Sequence, residues 1–99
     1  MLVNVERLAA LRDEIGDDGF EEVLEIFLKE SDEVVTRLAA QGAGEMAEAD
    51  LHFLKGTALT LGLDDLAELC RRGEAGARID PTMLTDLYQQ SRQMMPGLS

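Results

Sequence analysis

The feature that most constrains this chain is the run Phe20, Val23, Leu24, Phe27, Ser31, Val34, Val35 and Leu38, flanked by Glu21, Glu22, Glu25, Glu30, Asp32 and Glu33. Its spacing keeps a period near 3.6 residues over about five turns, and a strand, with its two-residue repeat, cannot place those residues on one face. The spacing predicts one long amphipathic helix. It opens at Gly16-Asp17-Asp18-Gly19, where flexible and turn-forming residues cluster, and ends near Gln41-Gly42-Ala43-Gly44, where two glycines offer a C-cap.

Shorter patterns flank it. Val5, Leu8, Ala9, Leu11 and Ile15 form a helical stripe that Asn4 can cap. From about Glu45 to Leu61 the stripe is Ala47, Leu51, Leu54, Ala58 and Leu61, closed by Gly62. Asp64 and Asp65 then open a helix through Leu66, Leu69, Cys70 and as far as Ala77, its end blurred by Gly73 and Gly76. Pro81 suits the first turn of a last helix, with Met83 or Leu84, Leu87, Tyr88, Ser91 and Met94 or Met95 running to Pro96. The expected class is all-α. Short connections favour antiparallel neighbours, hence an up-down-up-down four-helix bundle with a short additional N-terminal helix, residues 1–99 forming a single domain.

Charge narrows the function. Nine Lys and Arg against 20 Asp and Glu give a net charge of −11, which opposes binding to nucleic acid or anionic lipid. No apolar run approaches the roughly 20 residues of a membrane span, and the N-terminus lacks a secretory pattern, so a cytoplasmic location is expected. The single cysteine, Cys70, has helical spacing to apolar residues and reads as core. Asp17-Asp18, Glu21-Glu22 and Asp64-Asp65 read as helix-start and surface residues, Arg71-Arg72 as surface, and no metal or cofactor site is expected.

The chemistry concentrates at the one histidine. Residues three and four apart are neighbours on a helix, so His52, Lys55, Gly56 and Leu59 share a stripe turned away from Leu51, Leu54, Ala58 and Leu61. The imidazole therefore points outward. Neutral imidazole carries a free ring nitrogen that can attack phosphorus, and a lysine one turn along can offset the charge of a phosphoryl group. A glycine inside a helix costs about 0.8 to 1 kcal/mol relative to alanine, and beside an exposed histidine it leaves space for a phosphoryl group or a partner's loop. Thr57 can add a hydroxyl, although a threonine inside a helix often bonds back to its own backbone.

These residues read His52-Phe53-Leu54-Lys55-Gly56-Thr57, and the run resembles the His-x-Leu-Lys-Gly motif of histidine-containing phosphotransfer domains of phosphorelays. The likeness extends to Gly62, Leu66-Ala67 and Cys70, and upstream to Phe20, Leu24 and Phe27. It implies that His52 accepts a phosphoryl group from a phospho-aspartate receiver domain or hybrid histidine kinase and passes it to a response-regulator aspartate. Lys55 would neutralise charge, Gly56 would leave access, and magnesium would belong to the receiver partner. Leu51 stands where alanine is usual, which bears on packing near the site. Some members orient the imidazole through a nearby Glu or Gln; Glu48, one turn before His52, is the candidate here, against the alternative of an ordinary solvated glutamate.

No Walker-type glycine-rich run is present, so autonomous kinase activity is not expected, and the chain reads as a monomeric carrier. The expected docking patch is small and partly apolar, around His52 with Phe53 or Leu59 and exposed residues of the second helix. The competing readings are a non-catalytic adaptor that binds a receiver or kinase without phosphorylation, and a purely structural bundle.

Overall fold

Asn4 begins the first helix by capping it: its side-chain oxygen accepts from the Arg7 amide at 3.1 Å while its own backbone stays extended. That helix, α1, spans Val5–Ile15 in a computed structural model that describes residues 1–95. It is followed by α2 (Asp17–Gln41), α3 (Glu48–Leu61), α4 (Asp64–Glu74) and α5 (Pro81–Gln93), with no strand among the described residues. The chain is all-α, and the expected continuation to Pro96 lies outside the described residues.

Helices α2, α3, α4 and α5 close a ring in which each touches its chain neighbour and α5 returns to α2. α1 leans on α2 and α3. Leu38, Leu54, Ala58, Leu61, Leu66, Cys70 and Leu84 have no exposed surface and fill the centre of that ring. They are the aliphatic stripes read from the sequence. Burying a Leu side chain is worth roughly 1.5–3 kcal/mol, so these stripes carry the apolar driving force of the fold.

Several predicted positions differ. In α1 only Leu8 and Leu11 are buried, while Val5, Ala9 and Ile15 face solvent, because this helix lies on the ring by one narrow edge. In α2, Leu28 is buried and Val23 and Phe27 are half-buried. α3 begins at Glu48, not Glu45: Gly42 and Gly44 both take positive φ, and the Gln41 side chain accepts from the Ala47 amide at 2.7 Å, holding the chain extended up to that point. α4 ends at Glu74 and leaves Ala77 exposed outside it. Leu84 of α5 and Met95 just beyond its end enter the core, whereas Met83 and the capping Met94 are exposed.

The turn between α3 and α4 positions the site. Gly62 has φ +77°, and a Cβ there would stand 2.8 Å from the Asn4 carbonyl oxygen, so only glycine suits it. The Asn4 amide donates to the Gly62 carbonyl at 2.6 Å, tying the start of α1 to this turn. From there α4 runs back along α3 until its last turn meets the first turn of α3. Gly73 makes that approach possible: a Cβ on it would lie 2.9 Å from Leu51 Cδ1 and 3.1 Å from Ile79 Cγ1. The bulk of Leu51 is thus accommodated by the absence of a side chain at Gly73.

Candidate functional site

His52 stands on the outer face of α3 with its side chain 73% exposed, as its place on the helix stripe opposite the core leucines requires. Its Nδ1 lies 3.4 Å from Oε2 of Glu74, at the end of α4. The same Oε2 accepts from Lys55 Nζ at 3.0 Å. One carboxylate oxygen therefore joins the imidazole and the ammonium. The Lys55 ammonium beside it, reinforced by His52, holds the Glu74 carboxyl below the usual glutamate range, so the group stays ionised and remains an acceptor.

With a carboxylate facing Nδ1, the tautomer that donates there leaves the Nε2 lone pair free, and the exposure of the ring leaves it directed toward solvent. The arrangement can present a nucleophilic nitrogen beside a cation. Lys55 is only 24% exposed, its aliphatic stem lying along the protein while its ammonium reaches Glu74.

Gly56, one turn beyond His52, borders open space: a Cβ on it would meet nothing within 4 Å. It does not serve a close helix crossing. Phe53 and Leu59, 40% and 56% exposed, flank the same surface.

Two further expectations are corrected by the geometry. Glu48 is exposed and, among the described residues, makes no hydrogen bond to His52; the carboxylate beside the imidazole comes from Glu74. Thr57 is buried on the inward side of α3, five residues past His52 and so well around the helix from it. Its hydroxyl does not border the imidazole. Glu74 escaped the sequence reading because it lies 22 positions from His52. A signal existed in the hairpin register: His52 and Glu74 are each eleven residues from Leu63, where the chain reverses.

Cys70 is completely buried beneath this site, and burial pushes its thiol up to about 12, which removes it from thiolate chemistry near neutral pH. No group of three or more His, Cys, Asp or Glu side chains suited to a metal ion occurs among the described residues. No described helix is long and apolar enough to cross a membrane.

Compared with known families, the chain matches the Hpt domain model over residues 22–96, which takes in α2 from Glu22 onward and all of α3, α4 and α5, and leaves α1 and the first turn of α2 outside. No curated protein and no solved structure matches it.

Proposed function

Because the chain belongs to the Hpt domain family of phosphorelay histidine phosphotransfer proteins, we propose that His52 is its phosphorylated residue and Nε2 the reacting atom. The observation that carries this reading is the Glu74 oxygen shared by His52 Nδ1 and Lys55 Nζ beside an open Gly56. In transfer from a receiver domain, the Nε2 lone pair forms a bond to phosphorus as the bond to the aspartyl oxygen breaks and the carboxylate departs. Glu74 holds the Nδ1 proton while positive charge develops on the ring, and Lys55 offsets the phosphoryl charge. Onward transfer reverses these steps, with the electron pair returning to Nε2.

In this reading residues 1–99 act as one monomeric domain whose bundle helices run up-down-up-down, and it carries phosphate without a cofactor of its own. Magnesium belongs to the receiver. A response regulator and a hybrid sensor kinase are the partners, and the exposed apolar residues Phe53 and Leu59 join the docking surface in the cytoplasm.

The test is transfer of labelled phosphate from phosphorylated receiver domains in magnesium, beside His52→Gln. An acid-labile, base-stable adduct confined to the chain with His52 supports the relay. Receivers that bind both versions equally and transfer to neither support the adaptor reading instead.

A further inference from the structure

Arg37 marks the edge of α2 that runs along α3, because its guanidinium binds Asp50 of α3, with Nη2 to Oδ1 at 3.0 Å. Glu33, Glu30 and Ile26 precede it by four, seven and eleven positions, so all four lie on one stripe of the helix. The three are exposed, and Ile26 is an apolar side chain 58% open to solvent. Across the seam, Phe53 is exposed on α3 next to His52. The surface thus continues from the imidazole over Phe53 onto a strip formed by Glu33, Glu30 and Ile26.

That strip is short of cations. Between Asp13 and Glu33 the chain has ten acidic residues against one basic one, Lys29, so the solvent side of α2 carries a strong negative field. Arg37 is already engaged by Asp50, and neither Glu30 nor Glu33 forms an ion pair among the described residues. Two unpaired carboxylates beside exposed apolar side chains give a surface that attracts a partner bearing cations and disfavours one bearing acids.

We infer that the Ile26–Glu30–Glu33 strip of α2 is a charge-selective extension of the His52 face, and that its partner is a receiver domain whose docking face is basic. The inference rests on the relay reading for the class of partner. Its own content is the sign of the charge and the side of His52 on which it acts. Apolar contact through Ile26 and Phe53 supplies adhesion, while Glu30 and Glu33 speed encounter and reject acidic competitors.

The experiment uses receiver domains graded by the charge around their phospho-acceptor aspartate, and measures their Kd for the chain in low and high salt. The chain is compared with Glu30→Lys/Glu33→Lys and with Glu25→Lys/Asp86→Lys, which changes net charge equally. Glu25 shares the stripe of Asp32, which faces α5, and α5 does not touch α3. For the unchanged chain, affinity is expected to rise with receiver positive charge. In Glu30→Lys/Glu33→Lys it should fall about tenfold for the most basic receiver at low salt, with the difference shrinking in 1 M salt. The control pair should move it less than threefold. Equal losses in both double variants, or no loss in either, overturn the inference.

Assaying transfer of labelled phosphate from the same receivers to the unchanged chain separates the two readings. Preserved charge ranking without phosphate transfer sinks the relay and keeps the strip; transfer with a flat ranking does the reverse.

Discussion

Among the carboxylates of this bundle that gather two donors, Asp32 and Glu74 do so to different ends. Asp32 of α2 accepts from the Tyr88 hydroxyl and, through both oxygens, from Arg92 Nη1 at 2.9 and 2.7 Å, joining α2 to α5. Tyr88 also donates to the Leu28 carbonyl at 3.3 Å, and burial together with Asp32 pushes its phenol up. Asp32, Tyr88 and Arg92 each have a partner there, although the neighbouring Ser31 Oγ is buried without one, and none of the three is set up as a nucleophile. Glu74 joins α4 to α3 through Lys55 and His52, yet its Oε1 is buried without a hydrogen-bond partner and the far nitrogen of its imidazole faces solvent. Saturated groups lock helices together. Unsaturated ones leave something to react, which is the difference between a strut and a site.

Exchanging the damage between the two clusters tests this most sharply. Glu74→Ala should slow phosphate transfer by about tenfold to a hundredfold, in line with the loss of a positioned acid–base partner, with little change in the denaturation midpoint. Glu74→Gln should recover part of the rate by restoring an acceptor. Asp32→Ala should leave transfer intact and cost roughly 1–3 kcal/mol in a chemical denaturation curve, because Arg92 and Tyr88 lose their charged partner. A stability loss at Glu74 equal to that at Asp32 would make both clusters struts.

The glycines of the α3–α4 pair extend the comparison. Gly56→Ala meets no atom and should stabilise the chain by about 1 kcal/mol through helix propensity, while slowing transfer several-fold as the access it leaves is narrowed. Gly73→Ala should show a net loss of up to about 2 kcal/mol, since overpacking against Leu51 outweighs propensity. Leu51→Ala should relieve that loss, and a double-mutant cycle measures the coupling.

Titration gives smaller effects of opposite sign. Because the Glu74 carboxyl is held below its ordinary range, its attachment of α4 to α3 is complete above that range and is lost only as pH falls through the lowered value. Its side-chain carbonyl ¹³C resonance should therefore titrate at lower pH than that of Glu74 in Lys55→Met. Cys70 runs the other way: its thiol is raised to about 12, so the stability it contributes is whole below the ordinary thiol value and drains away as pH climbs toward 12. Iodoacetamide at pH 8.5 should alkylate it slowly in the folded chain and quickly in guanidinium.

Much of this was legible in the residues. The long stripe of α2 was readable because amphipathic periodicity over many turns has few alternatives, and the cap at Asn4 and the stop at Gly62 follow from local backbone chemistry. His52, Lys55 and Gly56 were readable because their relation is confined to one helix, where spacing is geometry. Other readings failed where a neighbour decided the outcome. Ala47 lost its place in α3 to a side chain from the end of α2, and Met83 and Leu84, equally apolar, were separated only by which face of α5 meets α2 and α4.

The sequence by itself determined which segments are helical, which faces of the long helices are apolar, and that one histidine stands exposed beside a lysine and a glycine. Only the tertiary structure decided that Glu74, not Glu48, faces the imidazole, that Thr57 is interior, and that Leu51 is seated on Gly73. The reason is range. A helix fixes neighbours three and four residues apart through its own hydrogen bonds, whereas the partner of His52 depends on how α4 folds back at Gly62 and how closely Gly73 lets it approach.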